Sequence, residues 1–222
     1  MSSSTITRLL TDYWTRADSD KATLDRYRDA YGEPDDDELT AYDDARTTIG
    51  LEAVDFLDRA MAELAAEHPL PLGLEVTVPG ANGARFTLTT GQLDRTAQMA
   101  FVAGQCHALA RALSEATGWP MAVLISDSCS YDPDMCSYSD DAYGGLCACR
   151  FEHVVVRRPD GALVDIRGAF LPATVPGWEG QQAIDLDEHG WQFLCRSPAW
   201  RRPAVEVART FTAPLLDALA TP

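Results

Sequence analysis

A thiol, an imidazole and a carboxylate stand in chain order at Cys106, His153 and Asp165. A thiol is nucleophilic as its thiolate, which near neutral pH needs a base beside it, and the base needs an acceptor that fixes its tautomer and orientation. These three residues supply one of each. The chemistry open to such a set is attack on an amide or thioester carbonyl through an acyl-enzyme. Each residue also has a plainer use: Cys106 as a small core residue, His153 as a structural or exposed strand histidine, and Asp165 as the salt-bridge partner of Arg157 or Arg167.

The elements that must position them are legible in the pattern of apolar residues. Asp94 to Ala103 predicts one helix, interrupted by Gly104, and Gln105 to Thr117 predicts a second that stops at Gly118, with Pro120 just beyond. Within the second, Cys106, Leu109, Ala110 and Leu113 fall on one apolar stripe, so the cysteine sits in its first turn. That turn carries unpaired backbone N–H groups and the positive end of the helix dipole, which stabilise a thiolate and can bind an oxyanion. MAVLIS follows as a short buried strand.

The stretch FEHVVVRR-PDG-ALVDIRG reads as a β-hairpin with a three-residue PDG loop in which Arg158 pairs with Ala162. This register puts Val154, Val156, Val164 and Ile166 on one face and His153 and Asp165 on the other. A two-residue DG loop would mix the aliphatic side chains between faces. In the favoured register His153 and Asp165 are diagonal neighbours, roughly 7–8 Å apart between Cα atoms, within reach of a carboxylate–imidazole hydrogen bond. That the cysteine helix faces this hairpin is an expectation that no local pattern fixes.

A cysteine opening a helix, GWPMAVLI running into a strand, then HVVV and VDI on successive strands resembles the core of the transglutaminase-like branch of the papain-like superfamily. The resemblance covers about residues 94 to 168. It implies an α+β fold with the cysteine helix packed on an antiparallel sheet, and it implies Cys106 as nucleophile, His153 as base and Asp165 as orienter. It also implies a cysteine-dependent hydrolase or acyl transferase, with peptidase or deamidase favoured and a protein or peptide as substrate. Two features depart from the family pattern: His107 stands where an aromatic residue often follows the nucleophile, and no glutamine holds the usual oxyanion position, leaving Gln105, and less directly Gln98, as candidates. His107 points about 100° around the helix from Cys106 and is expected to be a partly exposed structural residue.

Between the expected strands lies a cysteine-rich loop, 127–149, in which Cys129, Cys136, Cys147 and Cys149 form C-x6-C-x10-C-x-C. Four thiolates suit a structural zinc, but the spacing differs from paired C-x2-C knuckles, and disulfides, redox pairs or unconnected thiols are alternatives. Cys147 and Cys149 project to one side if the returning strand begins at Cys149. Asp132, Asp134, Asp140 and Asp141 lack the spacing of a calcium loop and read as a solvated acidic stretch. The proposed chemistry requires no cofactor.

The remainder reads as scaffold. Residues 1–70 form a helical extension, with segments at Ile6 to Arg16 and Ala22 to Tyr31 and then a helix from the acidic run at Asp35 to His68; residues 71–222 form the catalytic core. LEVTV and ARFTLTT make a hairpin, 171–200 look irregular, and Arg202 to Leu219 form a terminal helix. Cys195 is expected to be buried and His189 to lie in a turn. The 222 residues carry 18 Lys plus Arg against 34 Asp plus Glu, a net charge of −16 that argues against nucleic acid and for a basic protein partner. No stretch approaches the ~18 apolar residues of a membrane span, and no export signal opens the chain. A cytoplasmic protein is expected, with delivery as an effector by a signal-independent route the other option. The rival functional reading is a non-catalytic acidic binding module, stabilised by zinc.

Overall fold

A computed structural model describes residues 3–30, 36–67, 69–129, 143–197 and 199–220. The chain divides into two compact units, Met1–Pro69 and Leu70–Pro222. The first consists of α1 (Ser3–Ala30) and α2 (Asp36–Glu67). α1 runs unbroken where two shorter segments were expected. The polar stretch between them holds no glycine or proline, and Arg16–Asp20 and Lys21–Asp25 are paired one turn apart across it. The two helices are antiparallel, since Arg8 reaches Glu63 while Arg16 reaches Glu52. Tyr13 meets Phe56 between them.

The second unit is α+β with antiparallel sheets. β1 (Glu75–Pro79) and β2 (Arg85–Thr89) form a hairpin. α3 (Arg95–Val102) follows, its N-terminus capped by the Asp94 side chain on the Ala97 N–H at 2.8 Å. α4 (Cys106–Thr117) ends at Gly118 in the left-handed region. A five-stranded antiparallel sheet then assembles in the order β6-β5-β4-β3-β7. Its strands are β3 (Met121–Ile125), β4 (Phe151–Arg157), β5 (Leu163–Asp165), β6 (Gly168–Phe170) and β7 (Gln182–Leu186). α5 (Glu188–Arg196) and α6 (Val205–Ala220) complete it.

The hairpin register is Val156 opposite Val164 and Arg157 opposite Leu163, with the Arg158 N–H on the Ala162 carbonyl at 2.8 Å. Val154, Val156, Val164 and Ile166 accordingly share one core with α4, while Val155 and Leu163 join Ala122, Leu124 and Val175 in the other. Burying two aliphatic faces leaves little freedom for register slip.

Three expectations are corrected. Residues 171–200 are not irregular throughout, because they contain β7 on the edge of the sheet and α5, which Asp187 caps through the Gly190 N–H. β4 begins at Phe151, so Cys149 lies in the preceding 3-10 turn, Ala148–Arg150, and strand alternation does not govern Cys147 and Cys149. Cys195 is half-buried because it lies on the partly covered side of α5. Among the described residues no helix is long and apolar enough to cross a membrane.

Candidate thiol–imidazole site

The position of Cys106 is built by a tight corner. Gly104 adopts φ +129°, and a β-carbon there would lie 2.6 Å from the Ala81 nitrogen, so only glycine lets the α3–α4 corner press against the β1–β2 turn. Ala81 N–H donates to the Ala103 carbonyl across that contact at 2.8 Å. The next residue, Gln105, is fully buried: its amide nitrogen donates to the carbonyls of Pro79 (2.9 Å) and Arg202 (3.2 Å), and its oxygen accepts the Ala204 N–H (2.8 Å). Both amide hydrogens are thus committed to backbone, and Gln105 in this orientation fastens α4 to the segment before α6 rather than offering a donor to an oxyanion. Gln98 is exposed on α3. The N–H groups of Cys106, His107 and Ala108 precede the first intrahelical bond, Leu109 N–H to Gln105 O, and Gln105 supplies no side-chain cap.

Cys106, His153 and Asp165 are all buried, at 4%, 0% and 3% exposure, so the thiol is closed to bulk water. His153 Nε2 lies 3.0 Å from Asp165 Oδ2. A carboxylate only accepts, so Nε2 carries a hydrogen toward Asp165, and Nδ1 is the nitrogen left to exchange a proton. Nδ1 makes no hydrogen bond among the described residues, while the charges of His153 and Cys106 each act on the other's ionisation. Desolvation raises the thiol's pKa, but the charge of His153 and interactions with His107 and His153 outweigh it and bring it down to about 5. Burial likewise pulls His153 down, yet the opposing charge of Cys106 and the Asp165 hydrogen bond push it up to about 9. Desolvation raises Asp165, and hydrogen bonds from His153 and Arg167 overcome it and hold the carboxyl below its usual range. The pattern is that of a thiolate–imidazolium pair.

His107 is fully buried, not partly exposed. Its Nε2 is 2.7 Å from the Arg201 carbonyl and its ring packs against Trp191 and Trp200, elements remote in sequence. His107 is also among the causes that lower the Cys106 thiol, while its Nδ1 makes no hydrogen bond among the described residues. Two further residues surround the pair, one of them named from the sequence. Trp178 stacks on His153, and Arg167 binds Asp165 through both carboxylate oxygens. The DIRG stretch offered Arg167 as a salt-bridge partner, whereas nothing local pointed to Trp178. Arg157, the other candidate partner, pairs with Asp185 on β7.

No family model, no curated protein and no solved structure matches the chain.

Where the β3–β4 connection leaves β3 and enters β4, the sulfurs of Cys129, Cys147 and Cys149 lie within 4.8 Å of one another, a cluster that could hold a metal ion. Cys136, Asp132, Asp134, Asp140 and Asp141 fall outside the described residues, as does His68. His189 opens α5 and its ring lies 5.7 Å from that of Tyr143.

Proposed function

We propose that the unit from residue 70 onward is a cysteine-dependent hydrolase or acyl transferase with a papain-like, transglutaminase-like core, acting on an amide or thioester carbonyl of a protein or peptide. Peptide or side-chain amide hydrolysis is the favoured reaction. The observation that carries the reading is the buried hydrogen bond from His153 Nε2–H to Asp165, together with the electrostatic influence of His153 on the buried Cys106 at the start of α4. In this reading the thiolate attacks the carbonyl carbon, and the helix-start N–H groups receive the developing oxyanion. The imidazolium gives its Nδ1 proton to the departing amine or thiol as the tetrahedral adduct collapses to the acyl-enzyme. His153 then takes a proton from the incoming water or amine acceptor, and the second collapse expels Cys106 as its thiolate beside the imidazolium, which restores the starting pair. Asp165 keeps Nε2 protonated throughout. This chemistry draws on no cofactor.

The three-cysteine cluster is read as a structural zinc site. Thiolates are soft donors suited to zinc, whose bonds to sulfur are about 2.3 Å long. Cys129 follows β3 and Cys147 and Cys149 precede β4, so the ion would staple the two strand ends beside His153. Such a site belongs with a reducing, cytoplasmic setting.

The second reading is a non-catalytic acidic module that engages a basic protein, favoured by the net charge of −16 and by the closure of the thiol from solvent. Alkylation by iodoacetamide separates the two. A wild-type Cys106 that reacts with a depressed pKa, lost in His153→Ala, supports the enzyme; an unreactive or ordinary thiol in folded protein overturns it and leaves the module.

A further inference from the structure

Arg167 reaches both Asp165 and the segment covering His153. Its Nε lies 3.1 Å from Asp165 Oδ2 and 3.3 Å from Oδ1, its NH2 group donates to Oδ2, and its own backbone N–H donates to Oδ1 at 2.8 Å. Its remaining terminal nitrogen, NH1, donates to the Pro176 carbonyl at 2.8 Å. The guanidinium carbon stands 5.3 Å from the centre of the Trp178 ring, and Trp178 in turn stacks on the His153 imidazole. One cation therefore grips the carboxylate that holds His153 and the backbone that carries the ring lying on it.

We infer that Arg167 is a positioning residue of the Cys106 site, fixing the Asp165 carboxylate and the Trp178 cover so that His153 presents Nδ1 to the thiol. The inference rests on the enzymatic reading of Cys106. Without the guanidinium, Asp165 would keep one bond to each oxygen, His153 on Oδ2 and the backbone N–H of residue 167 on Oδ1, which leaves the carboxylate free to tilt and the ring to shift with it. The planar fork of arginine removes that freedom in a way the point charge of lysine does not. Charge adds a second role. When His153 passes its proton to a leaving group, Asp165 faces a neutral imidazole in a dry pocket, where a lone carboxylate tends to take up a proton itself. The fixed charge of Arg167 keeps it ionised and accepting, and so keeps the Nε2–H tautomer in place.

The test is the rate of Cys106 alkylation by iodoacetamide against pH, read on the modified peptide, in wild type, His153→Ala, Arg167→Lys and Arg167→Ala. The folded state is monitored by circular dichroism. Arg167→Ala is expected to slow alkylation near pH 7 by at least about tenfold, the scale of losing a hydrogen bond to a charged group, and to move the profile toward that of His153→Ala. Added methylguanidinium, at concentrations too low to unfold the chain, should restore a good part of the rate in Arg167→Ala and none in Arg167→Lys, which should fall between. Folded Arg167→Ala reacting as wild type overturns the inference while leaving the Cys106 reading intact. Should Arg167→Ala fail to fold, a wild-type profile in Arg167→Lys overturns it equally. A wild-type thiol with ordinary titration overturns the Cys106 reading and this inference with it.

Discussion

Trp178 lies flat on the imidazole of His153, with 3.9 Å between ring centroids and 5° between their planes. A protonated imidazole in contact with an indole quenches its fluorescence, so the tryptophan reports the charge on the histidine. Because the pKa of His153 is raised to about 9, the ring is charged below that pH and neutral above it. Emission should rise as pH passes upward through about 9 in the wild type. The step should vanish in Trp178→Phe and in His153→Ala; its persistence in either would assign it to another of the five tryptophans.

The thiol supplies the acid limb of the same window. With Cys106 lowered to about 5, protonation of the thiolate occurs as pH falls through about 5, and alkylation should be nearly flat from about pH 6 to 8. In His153→Ala the midpoint should move up toward the ~8.5 of an ordinary thiol. A wild-type midpoint already in that range would contradict the ion pair.

Gln105→Ala removes a buried amide and its three hydrogen bonds, to the Pro79 and Arg202 carbonyls and from the Ala204 N–H. A loss of about 3 kcal/mol or more in unfolding free energy is expected from urea titration. A variant that keeps wild-type stability but loses turnover would instead mark Gln105 as the oxyanion donor, against the hydrogen bonds seen here.

Gly104→Ala meets two penalties at once, a backbone conformation closed to alanine and a contact 2.6 Å from the Ala81 nitrogen. Destabilisation of about 2 kcal/mol or more is expected, measurable as a lower urea midpoint with an unchanged slope. An unchanged midpoint would mean that the α3–α4 corner relaxes without cost.

Protein purified under reducing conditions should carry about one zinc per chain if the cysteine cluster binds as proposed. Cys147→Ser with Cys149→Ser should abolish it, and chelation should lower the wild-type Tm by several degrees. Metal-free wild-type protein with an unchanged Tm would rule the staple out.

Local pattern carried the secondary structure around the site well, because each signal there is short-range. The PDG turn and the alternation from Val154 to Ile166 leave one register that buries both aliphatic faces, and the stripe ending at Gly118 leaves one helix. β7 was hidden because QAIDL is a half-exposed edge strand whose partner, β3, lies some sixty residues earlier. The burial of His107 depends on Trp200 and Arg201, and the cover of His153 depends on Trp178. Neither contact has a spacing that one stretch of chain can display.

The grip of Gln105 has a consequence for synthesis. Its acceptor on Arg202 and its donor on Ala204 lie 97 and 99 residues further along the chain, and the Arg201 carbonyl that orients His107 lies 94 residues on. A ribosome releases those residues only after the whole sheet has emerged. The start of α4 therefore cannot take its final setting on a half-made chain, and Cys106 gains its full surroundings only after residues 201–204 have emerged.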